Sequence, residues 1–396
     1  MKKINRTALK AGIICVAMQD SGNAATTPAL QAIQEAMPAV APVLIQNIAT
    51  VAALFLALAP PIYARLLEVI GKKKIFYIGA VLFFVGGIGP YFFHESIWVI
   101  LVFRALLGLG GGILTPLATD LVVDFFEGDE RNTMQGLVSA IISLSGIMFT
   151  ALGGWLTGYH WTYCFLAYAV GIIFIVIAAI LVPEPDRKAK IAAEEGSETV
   201  RAKLPGRVWP FFILLLLYFM AWASITTNGA MVVGGERMAD AASIGLMFSG
   251  MMVADLVVSV LFGAMFKKLR FNLFPIANIL GVVALLMCWK APSFPVYVAS
   301  ALILGASLGM NMPTIVTKVT QCVPYSAAPK AIGWVFFAVG FGQFLQPIVY
   351  GAFGVIGRPA FLVAACICAA VAVVLTLYDR ATPVLEQYRE AGAVGH

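Results

Sequence analysis

The chain reads Ala64-Arg65-Leu66-Leu67-Glu68-Val69-Ile70-Gly71-Lys72-Lys73-Lys74 where one long apolar segment ends and another begins. Apolar segments of roughly 20 residues can cross the hydrocarbon core of a bilayer as helices. A short loop rich in Lys and Arg between two such segments stays on the cytoplasmic side. This basic loop therefore predicts the orientation of the helices on both sides of it.

The other basic residues follow the same rule. If twelve apolar spans are placed along the 396 residues, 22 of the 26 Lys and Arg residues lie on one side of the membrane. We therefore predict an all-α integral membrane protein with twelve transmembrane helices and cytoplasmic N and C termini. The predicted spans are 9–34, 40–66, 74–93, 97–123, 133–158, 162–183, 208–231, 241–266, 272–291, 296–320, 329–355 and 358–379.

The composition excludes a soluble protein. The chain is 61% hydrophobic and only 12% charged, and its mean hydropathy is +0.92. The net charge of +6 comes from loops that face anionic lipid, so membrane lipids rather than nucleic acid are the expected partners. A multi-pass protein of the cell (inner) membrane is predicted.

One charged stretch divides the chain into two similar halves. The predicted domains are a six-helix bundle (1–183), a cytoplasmic linker (184–207), a second six-helix bundle (208–380) and a cytoplasmic tail (381–396). A basic cluster follows the second helix of each half. Paired bundles with a site between them are typical of transporters, and we expect this one to act as a monomer.

Residues 64–73 resemble a motif of the major facilitator superfamily, Gly-x-Leu-x-Asp-Arg-x-Gly-Arg-Lys, as it occurs in the twelve-helix drug:proton antiporter branch. Ala64 and Val69 replace a glycine and an arginine of the motif. Leu66, Gly71 and Lys73 match the motif. Glu68 and Lys72 keep the charges of its aspartate and its second arginine.

Two further stretches carry the resemblance. Arg104, with glycines at 108, 110 and 112, is similar to the family pattern Arg-x-x-x-Gly-x-Gly-x-Gly in the fourth span. In the fifth span the antiporter motif has Gly-Pro before Gly-Gly, whereas this chain has Phe149-Thr150 before Gly153-Gly154. The resemblance implies the major facilitator fold of two six-helix bundles. Because the Gly-Pro pair is missing, uptake remains an alternative to the export that is typical of the antiporter branch.

Charged residues inside spans are the first candidates for function, because an Asp or Arg at mid-helix costs about 2.5–3.5 kcal/mol on insertion scales. Asp20 and Arg104 fall at similar depths of the first and fourth spans. We predict that Asp20 carries the coupled proton and that Arg104 is its switch partner, since a nearby cation favours the charged carboxylate whereas burial favours the neutral acid. A static ion pair and direct substrate contact are the alternatives.

A polar and apolar set is predicted to line the substrate cavity. Asn23 and Thr27 follow Asp20 at three and seven residues, which in an α-helix places them on one face. Asp255 could attract a cationic substrate, bind a second proton or cap a neighbouring helix. The full set is Asn23, Thr27, Gln46, Trp222, Asn228, Asp255, Met310, Asn311, Gln343 and Gln346.

A charge network is predicted at the cytoplasmic ends of the second and fourth spans. The basic turn after the second span contains a single acid, which exceeds what orientation alone requires. Such a network could latch one state of a gate. Its predicted members are Glu68, Lys72, Lys73, Asp120 and Asp124.

No motif points to catalysis. A Gly-x-x-x-x-Gly-Lys-Ser/Thr sequence for ATP and the His-Glu-x-x-His and Gly-x-Ser-x-Gly signatures do not occur. The sequence therefore predicts no enzyme, no cofactor and no metal site. The predicted function is a proton-coupled secondary active transporter, exporting small amphipathic organic compounds by alternating access. Proton-linked uptake (symport) of a small organic anion or metabolite is the alternative.

Overall fold

The structure is a computed structural model that describes residues 6–183, 204–269, 272–324 and 327–381; side chains at 20–23, 132, 328–329 and 379–381 are outside the description. Every regular element within these ranges is helical, because a backbone in lipid must satisfy its own hydrogen bonds. The α-helices are α1 Arg6–Ala17, α2 Leu30–Ala36, α3 Pro42–Val69, α4 Lys72–Phe92, α5 Ile97–Phe125, α6 Gly128–Thr157, α7 Ala169–Leu181, α8 Trp209–Gly235, α9 Ala241–Leu269, α10 Leu273–Lys290, α11 Phe294–Gln321, α12 Ala328–Ala352 and α13 Arg358–Ala381.

Eleven helical segments among the described residues are long and apolar enough to cross a membrane. Each overlaps one of the second to twelfth spans predicted from the sequence. One of them, Trp161–Leu181, joins the 3-10 helix Trp161–Tyr168 to α7. The predicted all-α membrane architecture is confirmed.

The first predicted span, 9–34, is not one continuous helix. α1 ends at Ala17, a 3-10 helix covers Asp20–Ala29, and α2 begins at Leu30. Glycine at position 22 is a poor helix former, and Pro28 lacks the backbone N–H that an α-helix would use. The first span is therefore interrupted at a stretch whose residues favour local unwinding.

The described residues form two compact units. The first contains 6–183 together with Val233–Ser249, and the second contains the others. Val233–Ser249, which the sequence had predicted to belong to the second half, includes Ser249, whose Oγ donates a hydrogen bond of 3.1 Å to the carbonyl of Ile147. The predicted linker and the predicted tail lie almost wholly outside the described residues.

Both units contain the same close contact between helix backbones. In the first unit, a Cβ at Gly108 of α5 would collide with the carbonyl oxygen of Ala52 of α3. In the second unit, a Cβ at Gly305 of α11 would collide with the carbonyl oxygen of Met251 of α9. Gly305 follows Gly108 by 197 residues and Met251 follows Ala52 by 199, so the two contacts correspond.

The next helical turn repeats the correspondence. A Cβ at Gly112 would lie 2.5 Å from the carbonyl oxygen of Leu56, and a Cβ at Gly309 would lie 2.6 Å from that of Asp255. The offsets between the two pairs are again 197 and 199 residues. The two units therefore repeat one packing pattern, in which Asp255 takes the position that Leu56 holds in the first unit.

Candidate functional site

Arg104 lies in the interior of the first unit. Its side chain is 0% exposed on α5. Its Nε donates a hydrogen bond of 2.8 Å to the carbonyl of Ile48, and its Nη1 donates one of 2.6 Å to the hydroxyl of Tyr168. The guanidinium carbon also lies 5.8 Å from the centre of the Tyr168 ring. Because a buried charge is costly without hydrogen bonds, these neutral groups help to hold the cation in place.

Tyr168 is itself held by aromatic packing. Its ring stacks on Phe149 at a centroid distance of 5.7 Å and meets Phe83 edge-on at 6.0 Å. All three rings are fully buried. The sequence prediction missed Tyr168; the available signal was Phe149, a large residue where the family motif has glycine.

The predicted partners of Arg104 on the first span are only partly described. Asp20 and Asn23 lie in the 3-10 helix Asp20–Ala29, and their side chains fall outside the described residues. Thr27 is 7% exposed, and Gln46 of α3 is 3% exposed. The predicted common face of Asp20, Asn23 and Thr27 assumed an α-helix, whereas this segment is a 3-10 helix with three residues per turn. The relative placement of these side chains stays a prediction.

The structure brings together the central members of the predicted charge network. Lys72 Nζ, at the start of α4, lies 2.6 Å from Asp124 Oδ2 and 3.4 Å from Asp120 Oδ2 at the end of α5. The hydroxyl of Tyr63, which the sequence prediction missed, donates a hydrogen bond of 2.7 Å to Asp120. One lysine, one tyrosine hydroxyl and two carboxylates thus join α3, α4 and α5 at one end of the unit.

The outer members of that network are less enclosed. Glu68 is exposed near the end of α3, and Lys73 is half-buried. The side chain of Lys72 is only 11% exposed and that of Asp124 only 6%. The partly enclosed Lys72–Asp124 pair is therefore the strongest ionic contact of the set, because less water screens it.

An open cleft of about 490 Å³ lies between α5 and α6, close to this network. Gln135 Nε2 donates a hydrogen bond of 3.3 Å across it to Thr119 Oγ1. The sequence prediction had not singled out this cleft. Its lining residues are Thr119, Val123, Gly128, Arg131 and Gln135.

Asp255 is the predicted site residue of the second unit with an ionisable side chain. It lies in α9 and is partly exposed. Ser259, one turn further on, donates a hydrogen bond of 3.4 Å to its Oδ1. On α11, the position of a Cβ at Gly309 would lie 3.2 Å from the same oxygen. The carboxyl group therefore packs over bare backbone.

Two predicted cavity amides serve contacts between helices. Asn228 Oδ1 accepts a hydrogen bond of 3.0 Å from the backbone N–H of Gly357. Gln346 Oε1 accepts one of 2.7 Å from Thr227 Oγ1. Both amide side chains are at most 1% exposed, so their carbonyl oxygens are engaged inside the unit.

The remaining predicted cavity residues differ in setting. Met310 packs in the apolar core with Leu273 and Ala277. Asn311 Nδ2 lies 3.5 Å from Asn278 Oδ1 in the buried interior. Two others are half-buried and more accessible: Trp222 and Gln343.

Comparison with known proteins gives the same class throughout. The family model of the Major Facilitator Superfamily matches residues 12–237 and 211–393. Multidrug resistance protein 3 of Bacillus subtilis (strain 168) is 30% identical over 140 residues, which are 33% of this chain and 26% of that protein. The D-xylose transporter of Levilactobacillus brevis is 26% identical over 122 residues, 30% of this chain and 26% of the relative. The match thus spans about a quarter of the length of these curated relatives.

Solved structures extend the likeness of fold to nearly the whole chain. The crystal structure of a bacterial homologue of the human lysosomal transporter Spinster has a TM-score of 0.77 at 15% identity. The match covers 96% of this chain and 98% of the other.

Proposed function

This chain belongs to the Major Facilitator Superfamily, and from that membership we propose that it is a proton-coupled antiporter exporting small amphipathic organic compounds by alternating access. It is a multi-pass transporter of the cell membrane that binds small-molecule substrates, and not an enzyme. We propose protons as the coupling ion, cytoplasmic termini and a monomer as the working unit.

The observation that carries the proposal is the complete burial of Arg104 within an apolar helix bundle. A cation at mid-span is costly and marks a functional site by default. Asp20 is its proposed switch partner. As the guanidinium moves toward or away from the Asp20 carboxyl, the carboxyl would release or take up a proton, which would link the proton to the state of the cavity.

The charge network supplies the proposed gate. Lys72 holds Asp120 and Asp124 at one end of α5, and α5 also carries Arg104. A latch at the end of the helix that bears the proposed switch residue could couple gate opening to protonation. Glu68 and Lys73 are the proposed outer members of this gate.

Export is favoured because Multidrug resistance protein 3 is among the relatives. Proton-linked uptake of a small organic anion or metabolite, with Arg104 as counter-ion, is the second candidate. The D-xylose transporter among the relatives favours uptake of a metabolite. The direction of substrate movement relative to protons distinguishes the two.

Transport in proteoliposomes with an imposed pH gradient tests the proposal. Cationic, neutral and anionic organic compounds are compared, and substrate movement opposite to proton movement is the expected result. In Asp20→Asn, exchange without a gradient should persist while the gradient loses its effect. Asp240→Asn makes the same chemical change outside the spans and is the control. Transport by Asp20→Asn that still responds to the gradient would overturn the coupling scheme.

A further inference from the structure

Asp255 occupies the middle of a helix in the second unit. It is the fifteenth of the 29 residues of α9. The corresponding position of the first unit is Leu56, so the carboxyl group is a departure from the repeated packing pattern and the helix contact does not require it.

The side chain points away from the lipid-facing side of its helix. Five large apolar residues of α9 are 44–74% exposed: Leu246, Val253, Val257, Val260 and Leu261. At 100° per residue, Asp255 projects roughly 180° from the centre of this group. On its own side, Phe248 and Met251 are buried. The carboxyl group is therefore directed into the second unit.

Nothing basic neutralises Asp255 among the described residues. None of the ion pairs formed there includes it. About 14 Å of helix rise separates Lys318 from Gly309, the glycine that Asp255 contacts. The described basic residues of the second unit lie at or near helix ends: Arg207, Lys267, Lys268, Lys290, Lys318, Lys330 and Arg358.

The surroundings suit a large apolar molecule that carries a positive charge. Met252 lies one turn before Asp255 and is half-buried, and methionine adapts its shape to varied apolar partners. Asp255 is partly exposed, whereas Arg104 is fully buried. A carboxylate without a protein cation, beside an apolar and adaptable side chain, matches a lipophilic cation in charge and in surface.

We propose that Asp255 pairs with the positive charge of the transported compound, which makes lipophilic organic cations the preferred substrate class. This inference rests on the proposed function, because it assumes that an organic compound enters the second unit. It assigns Asp255 to the substrate and leaves proton coupling to Asp20 and Arg104.

Equilibrium binding to the purified full-length protein tests the inference without any gradient, so it remains informative even if proton coupling fails. The probes are tetraphenylphosphonium, whose charge does not titrate, and the neutral triphenylphosphine oxide. Asp255→Asn should weaken tetraphenylphosphonium binding at least tenfold and change oxide binding less than twofold. Asp255→Glu should retain most of the cation affinity.

Ser259→Ala is the matched control, because it removes the hydroxyl partner and keeps the carboxylate; cation binding should change less than threefold. Size-exclusion profiles identify variants that fail to fold, and Asp255→Glu then carries the comparison. Equal tetraphenylphosphonium affinity of wild type and Asp255→Asn would overturn the inference. So would equal loss of both probes in a folded variant, or absence of cation binding by the wild type.

Discussion

Arg104 Nη1 donates a 2.6 Å hydrogen bond to the hydroxyl of Tyr168. Tyr168 in turn stacks on Phe149, which occupies the place of a glycine in the antiporter motif that the sequence resembles. The large residue at this motif position thus supports the ring that holds the buried arginine. A departure from the family pattern becomes a part of the proposed coupling site.

Tyr168→Phe should remove this hydrogen bond and leave the ring. Loss of a hydrogen bond to a charged group costs about 1.5–3 kcal/mol, so the free energy of unfolding should fall by about that amount. If Tyr168 positions Arg104, the pH profile of transport should also shift. Unfolding in detergent and transport between pH 5.5 and 8 measure the two effects.

Tyr218→Phe is the control for this substitution. The Tyr218 hydroxyl lies 3.1 Å from Ser307 Oγ in the second unit, and a neutral hydrogen bond contributes only about 0.5–1.5 kcal/mol. Its pH profile should match that of the wild type. A Tyr168→Phe profile identical to the wild type would limit Tyr168 to a structural role.

The Lys72–Asp124 contact predicts strong coupling between two substitutions. Breaking a fully buried pair costs about 3–5 kcal/mol and an exposed pair up to about 1 kcal/mol. Because Lys72 and Asp124 are largely enclosed, Lys72→Ala should cost about 1–3 kcal/mol. In the double variant with Asp124→Asn, the loss should be smaller than the sum of the two single losses, as measured by thermal unfolding.

Lys74→Ala provides the comparison for Lys72→Ala, because Lys74 is exposed on the same turn and its removal should change stability by less than about 0.5 kcal/mol. Strictly additive losses in the Lys72 and Asp124 cycle would show that the contact contributes little to the proposed gate.

The sequence predicts most of the fold because hydrophobicity in lipid is a long-range pattern that local detail does not override. Eleven spans were located from apolar length and basic loops alone. The interruption of the first span also follows from the sequence, because Asp20-Ser21-Gly22-Asn23 is a poor helix former, whereas the 3-10 geometry that replaces the α-helix does not. These residues change the backbone conformation over one or two helical turns. Which side chains share a face of the helix depends on whether that segment is an α-helix or a 3-10 helix.

The site was harder to predict than the fold. The contact of Lys72 with the carboxyl groups of Asp120 and Asp124 could be predicted from the topology, since α4 and α5 are consecutive helices. Tyr168 is 64 residues from Arg104, and no periodic pattern links them. Asn228 and Gln346 show a second limit of sequence-based prediction. Asn228 bonds the backbone N–H of Gly357, and Gln346 bonds the hydroxyl of Thr227. The sequence alone does not distinguish such partners within the protein from a bound ligand.

Asp240 predicts a pH-dependent contribution to stability. Its Oδ1 accepts a hydrogen bond of 2.8 Å from the backbone N–H of Ser243 at the start of α9. A hydrogen bond from the Ser243 side chain, and after it this backbone bond, hold the pKa of Asp240 below its usual value. A carboxyl with a lowered folded-state pKa stabilises the fold above its unfolded pKa, and that contribution is lost as the pH falls through the folded value.

Asp240→Ala should therefore lower the free energy of unfolding by less than about 1 kcal/mol at pH 7, the small end of N-cap effects, because the residue is exposed. The difference from the wild type should narrow as the pH falls below about 4, in denaturation measured at several pH values. A difference that stays constant down to pH 3 contradicts the capping role of the charged carboxylate.

The repeated backbone contacts predict which glycines tolerate a methyl group. A Cβ at Gly153 of α6 would collide with the carbonyl oxygen of Ala25, and one at Gly342 of α12 with that of Leu216. Overpacking a close contact costs about 1–3 kcal/mol, so Gly153→Ala and Gly342→Ala should each lower thermal stability by that amount.

The same two helices supply matched controls, because a Cβ at Gly136 of α6 or at Gly333 of α12 would meet nothing within 4 Å. Alanine is favoured over glycine in a helix by about 0.8–1 kcal/mol, so these two substitutions should be neutral or stabilising. Gly342 follows Gly153 by 189 residues and Leu216 follows Ala25 by 191, so the two contacts correspond. Their alanine variants should therefore lose similar stability in thermal unfolding of the purified protein. Equal behaviour of all four variants would show that the backbones separate freely at these contacts, and the close approach would then have no energetic role.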